Sequence, residues 1–212
     1  MMKNIEEILE EYAKGYKPYD SEIKAVIHQW IHAIIHENSL FAEKEGANKE
    51  KIINILKKAD LYKSHKQFKD EIISGINIKP PVKTTFSFID LFAGIGGMRQ
   101  GFERAGGACV FSSEFESKAQ MTYEENYGEY PFGDITLIPE NDIPEHDVLL
   151  AGFPCQPFSH AGLKLGIDDT RGTLFYNIAK IMENKKPKVA LLENVKGLIS
   201  HDNGNTMQII LK

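Results

Sequence analysis

An α/β domain of Rossmann-like type, preceded by an all-helical N-terminal region, is predicted from three features of the sequence. Up to about residue 78, apolar residues recur at helical spacing. From Thr85 onward, short apolar runs alternate with helical segments, the pattern of a parallel sheet wrapped by helices. Acidic, glycine-rich or cysteine-bearing turns follow those runs, where open α/β sheets bind ligands.

The 212 residues suffice for one domain, or one domain with a small appendage. A hydrophobic fraction of 42% and a charged fraction of 26% are those of a soluble globular chain. No apolar run approaches the roughly 18 residues of a membrane span, so no membrane partner is expected. The start, MMKNIEEILEEY, is acidic and amphipathic and reads as neither signal nor transit peptide. Cys109 and Cys155 make no disulfide scaffold and no CxxC zinc pair, which fits a reducing, cytoplasmic compartment. The net charge of -5 weighs against extensive wrapping by nucleic acid, or places the basic surface on another domain or chain.

Residues 1–79 are expected to be helical, with residues 80–84 as a linker. Ile5, Ile8, Leu9 and Tyr12 share a helix face, which Gly15 and Pro18 end. A longer helix is expected from about Ser21 to Ala42, with Asp20 as its N-cap and Trp30 within its apolar face. Shorter helices follow at about Asn48–Ala59 and Lys66–Ile73. His28, His32 and His36 stack at i, i+4, i+8. No cysteine or carboxylate sits at a convincing ligand position beside them, so they read as a packed or half-exposed helical surface and no metal is expected. Consecutive prolines at 80 and 81 end the region.

Thr85–Asp90 reads as a buried strand that runs into Leu91-Phe-Ala-Gly-Ile-Gly-Gly97 and then a helix to about Ala105. Glycines allow a tight turn and close approach of a ligand to helix-start amides. A second strand, Ala108–Ser113, ends at Glu114, placed to accept both hydroxyls of a ribose, with Phe115 for an adenine face. A helix at about Lys118–Glu125 leads to a third strand and the turn Gly133-Asp134-Ile135, where Asp134 suits the adenine amino group. The glycines do not complete GxGxxG and no Walker lysine is present. A nucleoside cofactor without a pyrophosphate, S-adenosylmethionine, therefore fits best. A fourth strand, Asp147–Ala151, delivers Cys155 between Pro154 and Pro157, which fix the backbone around one thiol. The polar stretch His160–Gly172 reads as a lid. A helix at Thr173–Glu183 and a fifth strand at Lys188–Leu192 then end at Glu193-Asn194.

These residues resemble the DNA cytosine-5 methyltransferase family. The resemblance rests on Asp90–Gly97, Glu114-Phe115, Gly133-Asp134-Ile135, Gly152–Ser159, Arg171–Phe175 and Glu193–Gly197, in that order, over about residues 84–206. It implies the S-adenosylmethionine-dependent methyltransferase fold and a covalent mechanism. Cys155 adds to cytosine C6, and Glu193 stabilises charge at N3, after the base has flipped out of double-stranded DNA. It places Phe92, Gly94, Gly96, Glu114, Phe115, Asp134, Ile135, Pro154 and Leu174 around the cofactor, and Gln156, Ser159, Arg171 and Asn194 on the substrate side. A prokaryotic restriction-modification role follows from the same resemblance.

The family continues beyond the motifs present here, with a target-recognition domain and a final helix that returns to the cofactor face. Residues 85–212 are thus expected to be a partial catalytic domain without target recognition. A second polypeptide, or a missing C-terminal part, is expected to supply the rest, and this chain alone is expected to methylate DNA poorly or not at all. The alternatives are a transfer-RNA cytosine-5 methyltransferase of the related subfamily and a non-catalytic DNA-binding protein with the same fold.

Overall fold

A computed structural model of the chain describes residues 1–153 and 173–211. Its centre is a parallel sheet of four strands: β1 (Phe86–Leu91), β2 (Gly107–Ser113), β3 (Val148–Gly152) and β4 (Val189–Glu193), in the order β2-β1-β3-β4. The chain leaves β1 in one direction and resumes at β3 in the other. The strand order therefore reverses between β1 and β3, and the crevice outside their carboxyl ends is the natural ligand site. The register places Leu91 beside Ala151, and Gly152 beside Glu193.

Both faces of β1, β2 and β3 are covered, which is why these strands read as nearly continuous apolar runs, whereas the edge strand β4 leaves Val189 and Leu191 exposed. On one face Phe88, Cys109 and Leu150 meet Met98 and Phe102 of α5 (Gly97–Arg104). On the other, Ile89, Leu91, Val110, Phe111, Leu149 and Ala151 belong to a core that includes Ile178 and Ile181 of α7 (Thr173–Lys185). That same core continues into the N-terminal helices α1 (Met2–Lys14), α2 (Ile23–Ile35), α3 (Lys49–Lys58) and α4 (His65–Ser74). Helix α6 (Ser117–Tyr127) follows β2, and a short α8 (Asn205–Ile210) closes the described residues.

Helix α2 shows how sequence and tertiary setting combine. It is apolar nearly all round and every residue from Ala25 to Ile35 is buried, as expected for a helix enclosed on all sides. The Trp30 indole donates to Phe41 O at 2.9 Å. Gln29 donates to Val110 O at 2.9 Å and accepts from Phe41 N at 2.7 Å, which ties the helix to β2 and to its own return loop. Phe41 then packs on Phe132, with ring centroids 4.4 Å apart.

Three local expectations are corrected. Helix α2 ends at Ile35 rather than Ala42, because Glu37 takes a positive φ and the Asn38 amide closes back on Ala33 O. Asp20 does not cap α2. Glu22 occupies the cap position without a side-chain bond, and the Asp20 carboxylate is engaged elsewhere. The third strand is reduced to one bridge between Ser113 and Phe132. Pro131 lacks the amide that would extend the ladder, leaving Phe132 N to Ser112 O and Glu114 N to Phe132 O.

Candidate cofactor and catalytic site

The loop after β1 is shaped by left-handed backbone. Phe92, Gly94 and Gly96 have φ of 55°, 56° and 89°. At Gly96 a side chain is also excluded by space, because a Cβ there would run into the Tyr127 ring. The Tyr127 hydroxyl donates to Gly96 O at 2.6 Å and locks the turn from α6. Glu114, at the end of β2, completes it. Its Oε2 accepts from Gly94 N and its Oε1 from Glu116 N, each at 2.8 Å. Each carboxylate oxygen carries a second lone pair, so an oriented Glu114 still has acceptor capacity for a pair of hydroxyls.

These elements surround a cavity of about 240 Å³, lined by Phe92, Ser113, Glu114, Phe115, Gly133, Asp134, Ile135 and Leu174. Most of the residues expected at the cofactor therefore meet in one place, although they come from two strand ends, the turn after Phe132 and the start of α7. Phe115 is 78% exposed at this cavity, an aromatic face without a covering partner. Asp134 Oδ1 accepts from Thr136 N at 2.9 Å, while Oδ2 has no partner among the described residues. Gly94 and Gly96 shape the loop without lining the cavity. Ser113 is a member that sequence reading did not pick out. Its hydroxyl donates to Gly133 O at 2.7 Å and joins the end of β2 to the Asp134 turn.

Beside the cavity, β3 and β4 end together. The Asn194 amide donates to Phe153 O at 2.7 Å, and its Oδ1 accepts from Val195 N at 2.8 Å. That side chain fixes the exit of β3, the strand that leads to Cys155. Glu193 leans over the same exit, so that a methyl group placed on Gly152 would lie 3.4 Å from Glu193 Oε2. Pro154, Cys155, Gln156, Ser159 and Arg171, and the expected lid, lie outside the described residues.

Behind the glycine loop lies a buried charge cluster that sequence reading missed. Arg99 of α5 donates to Glu103 Oε1 at 2.8 Å, to Glu129 Oε2 at 2.9 Å and to the Tyr123 hydroxyl at 2.9 Å. Burial opposes ionisation of Glu129, but the Arg99 guanidinium, together with His32 and His28, more than offsets it and holds the carboxyl below its usual range. Asp90, the last residue but one of β1, is wholly buried, and neither carboxylate oxygen has a well-formed hydrogen bond among the described residues, with the Arg99 backbone amide its nearest donor. Burial pushes its pKa up to about 8, against the pull of Arg99. The histidine row is also internal. His28 Nδ1 accepts from Tyr130 N, so Nε2 carries the proton toward Glu6. Burial lowers His32 to about 4, with Glu129 opposing. Among the described residues no group of histidines, cysteines and carboxylates is arranged to hold a metal, and no helix is long and apolar enough to cross a membrane.

The parallel sheet and its strand-end pocket define a Rossmann-like methyltransferase fold. A family model described as C-5 cytosine-specific DNA methylase matches residues 86–212, and the chain belongs to that family. It is 61% identical over 127 residues to the type II methyltransferase M.NgoBI of Neisseria gonorrhoeae, covering 60% of this chain and 40% of that protein. It is 64% identical over 125 residues to M.HaeII of Haemophilus aegyptius, covering 59% and 39%. The chain thus spans about two-fifths of the length of these curated relatives. Among solved structures, S. pombe Dnmt2 methyltransferase superposes with a TM-score of 0.50 at 24% identity, over 60% of this chain and 41% of that one, a likeness of fold.

Proposed function

We propose that this chain is the catalytic part of an S-adenosylmethionine-dependent DNA cytosine-5 methyltransferase of a restriction-modification system. The observation that carries the reading is the strand-end cavity. It gathers Phe92, Glu114, Phe115, Asp134, Ile135 and Leu174 next to the β3 exit toward Cys155, with Glu193 alongside. The residues fit a nucleoside cofactor: an oriented carboxylate for the ribose hydroxyls, a bare aromatic face for the base, and Asp134 Oδ2 as acceptor for an exocyclic amine. S-adenosylmethionine, when bound there, supplies an electrophilic methyl group.

The chain's own residues prepare the other reactant. The Cys155 thiolate adds to C6 of a flipped cytosine and makes C5 nucleophilic. Glu193 holds the N3 side of the ring, where charge develops. Asn194 keeps the β3 exit in register with β4, and so sets the distance between nucleophile and acid. Gln156, Ser159 and Arg171 meet the base and the DNA backbone. Pro154, Gly94 and Gly96 shape the cofactor side. Target recognition is supplied by a second polypeptide or by further segments, consistent with a span of two-fifths of the relatives.

A 5-fluorocytosine substrate tests the reading, because fluorine at C5 blocks the elimination that frees the enzyme. A covalent adduct is expected on duplex DNA in the presence of S-adenosylmethionine and the complementing polypeptide, and none is expected for Cys155→Ala. An adduct on transfer RNA instead would move the substrate to RNA, and no adduct on either would leave a non-catalytic protein.

A further inference from the structure

The segment Tyr130–Asp134 carries the cavity residues Gly133 and Asp134 into place, yet its only backbone link to the sheet is at Phe132, with the Ser113 hydroxyl on Gly133 O beside it. Pro131 has no amide. The other amides of the segment are all taken up by side chains from the N-terminal region. Tyr130 N donates to His28 Nδ1 at 2.9 Å, Gly133 N to Ser21 Oγ at 3.1 Å and Asp134 N to Asp20 Oδ2 at 2.7 Å. The Asp20 carboxylate lies so close over Gly133 that a Cβ on that residue would sit 2.7 Å from its Oδ2. Two features of the same turn therefore point to one contact: a pair of amides that need acceptors, and a glycine where only a hydrogen fits.

We infer that the N-terminal helical region is a working part of the cofactor pocket, with Asp20 and Ser21 as positioning residues for the Gly133–Asp134 turn. Ser21 is buried and leads into α2, which Gln29 ties to β2. The acceptors therefore precede a helix that is tied to β2, the strand whose end lines the pocket. Without them the turn keeps its Ser113 and Phe132 contacts and the cap of Asp134 on Thr136 N, but the backbone that carries the Asp134 carboxyl loses its anchor on the N-terminal side. A hydrogen bond from a backbone amide to an ionised carboxylate is among the stronger ones, and its loss next to a binding site reads directly in affinity.

The inference rests on the cavity being the S-adenosyl site, and its test separates the two. Binding of S-adenosylhomocysteine to the 212-residue chain is measured by calorimetry, and exchange of the Gly133 and Asp134 amides by NMR. Asp20→Ala and the double variant with Ser21→Ala are expected to weaken binding on the order of tenfold or more and to speed exchange at both amides, with little change in melting temperature. Asp20→Asn, whose side-chain oxygen still accepts, is expected to retain both properties. Unchanged affinity in the double variant, or unchanged amide protection, overturns the inference. No binding by the unsubstituted chain overturns the pocket assignment and the cofactor role of Asp20 with it, while the exchange data still report on whether the contacts hold the turn.

Discussion

Asp90 sits at the carboxyl end of β1 with no well-formed hydrogen bond to either oxygen among the described residues, under the loop that carries Gly94 and Gly96. With a pKa near 8 in the folded chain, it keeps a proton that the unfolded chain has already lost above pH 4. The native state then binds more protons, so stability falls as pH rises through that range, by about 1.4 kcal/mol per pH unit from this group. His32 works the other way. Its depressed pKa lowers stability as pH falls from about 6.5 toward 4. Burial also depresses His36 and His146 and raises Glu103 and Cys109, so the Asp90 contribution is read as the difference from Asp90→Asn over the interval from pH 6.5 to 8. Urea midpoints of the unsubstituted chain are expected to fall across it, while those of Asp90→Asn stay flatter. Equal slopes would show that Asp90 is already ionised in the native state. Nothing in the local sequence distinguishes this buried, protonated aspartate from an ionised one, because its state depends on how α5 closes over it.

At the scale of elements, Arg99 joins α5 to the segment after α6 through Glu129, and its guanidinium lies 4.3 Å over the Tyr127 ring. Tyr127 in turn holds Gly96. The packing of α5 against α6 and the shape of the glycine loop are therefore one arrangement. Removing the cation leaves Glu103 and Glu129 buried without it, a loss of about 3 kcal/mol or more. Arg99→Gln is expected to lower the urea midpoint accordingly, and a change within error would mean that water reaches the cluster. The helices and strands themselves were legible, because periods of 3.6 and 2 are local signals. Asn48 and Ser64, which sequence reading did not single out, cap α3 and α4, each accepting from the amide three residues on. The third strand was not legible as a mere bridge, since apolar Tyr130 and Phe132 look like strand residues until Pro131 is set against β2.

For the molecule as a whole, the N-terminal helices and the sheet share one apolar core. Trp30, the sole tryptophan, is fully buried in it. Its replacement by alanine is expected to cost about 3–5 kcal/mol, and the sheet is expected to lose stability together with the helices. Trp30 fluorescence and amide protection in β1 should therefore report one urea transition in the unsubstituted chain. Two separated transitions would show that the halves fold apart. The same continuity explains why Asp20 reads as a helix cap in sequence and serves a turn 114 residues away.

The sequence by itself determined the α/β class, the family, the glycine loop and the acidic strand ends, because each depends on residues close together in the chain. The tertiary structure alone decided which distant groups share an environment. It set the Arg99–Glu129 pair, the burial that raises the Asp90 pKa, and the seating of Asp20 and Ser21 beneath the Gly133–Asp134 turn. Burial and hydrogen-bond satisfaction are properties of the packed whole, and no local pattern of residues encodes them.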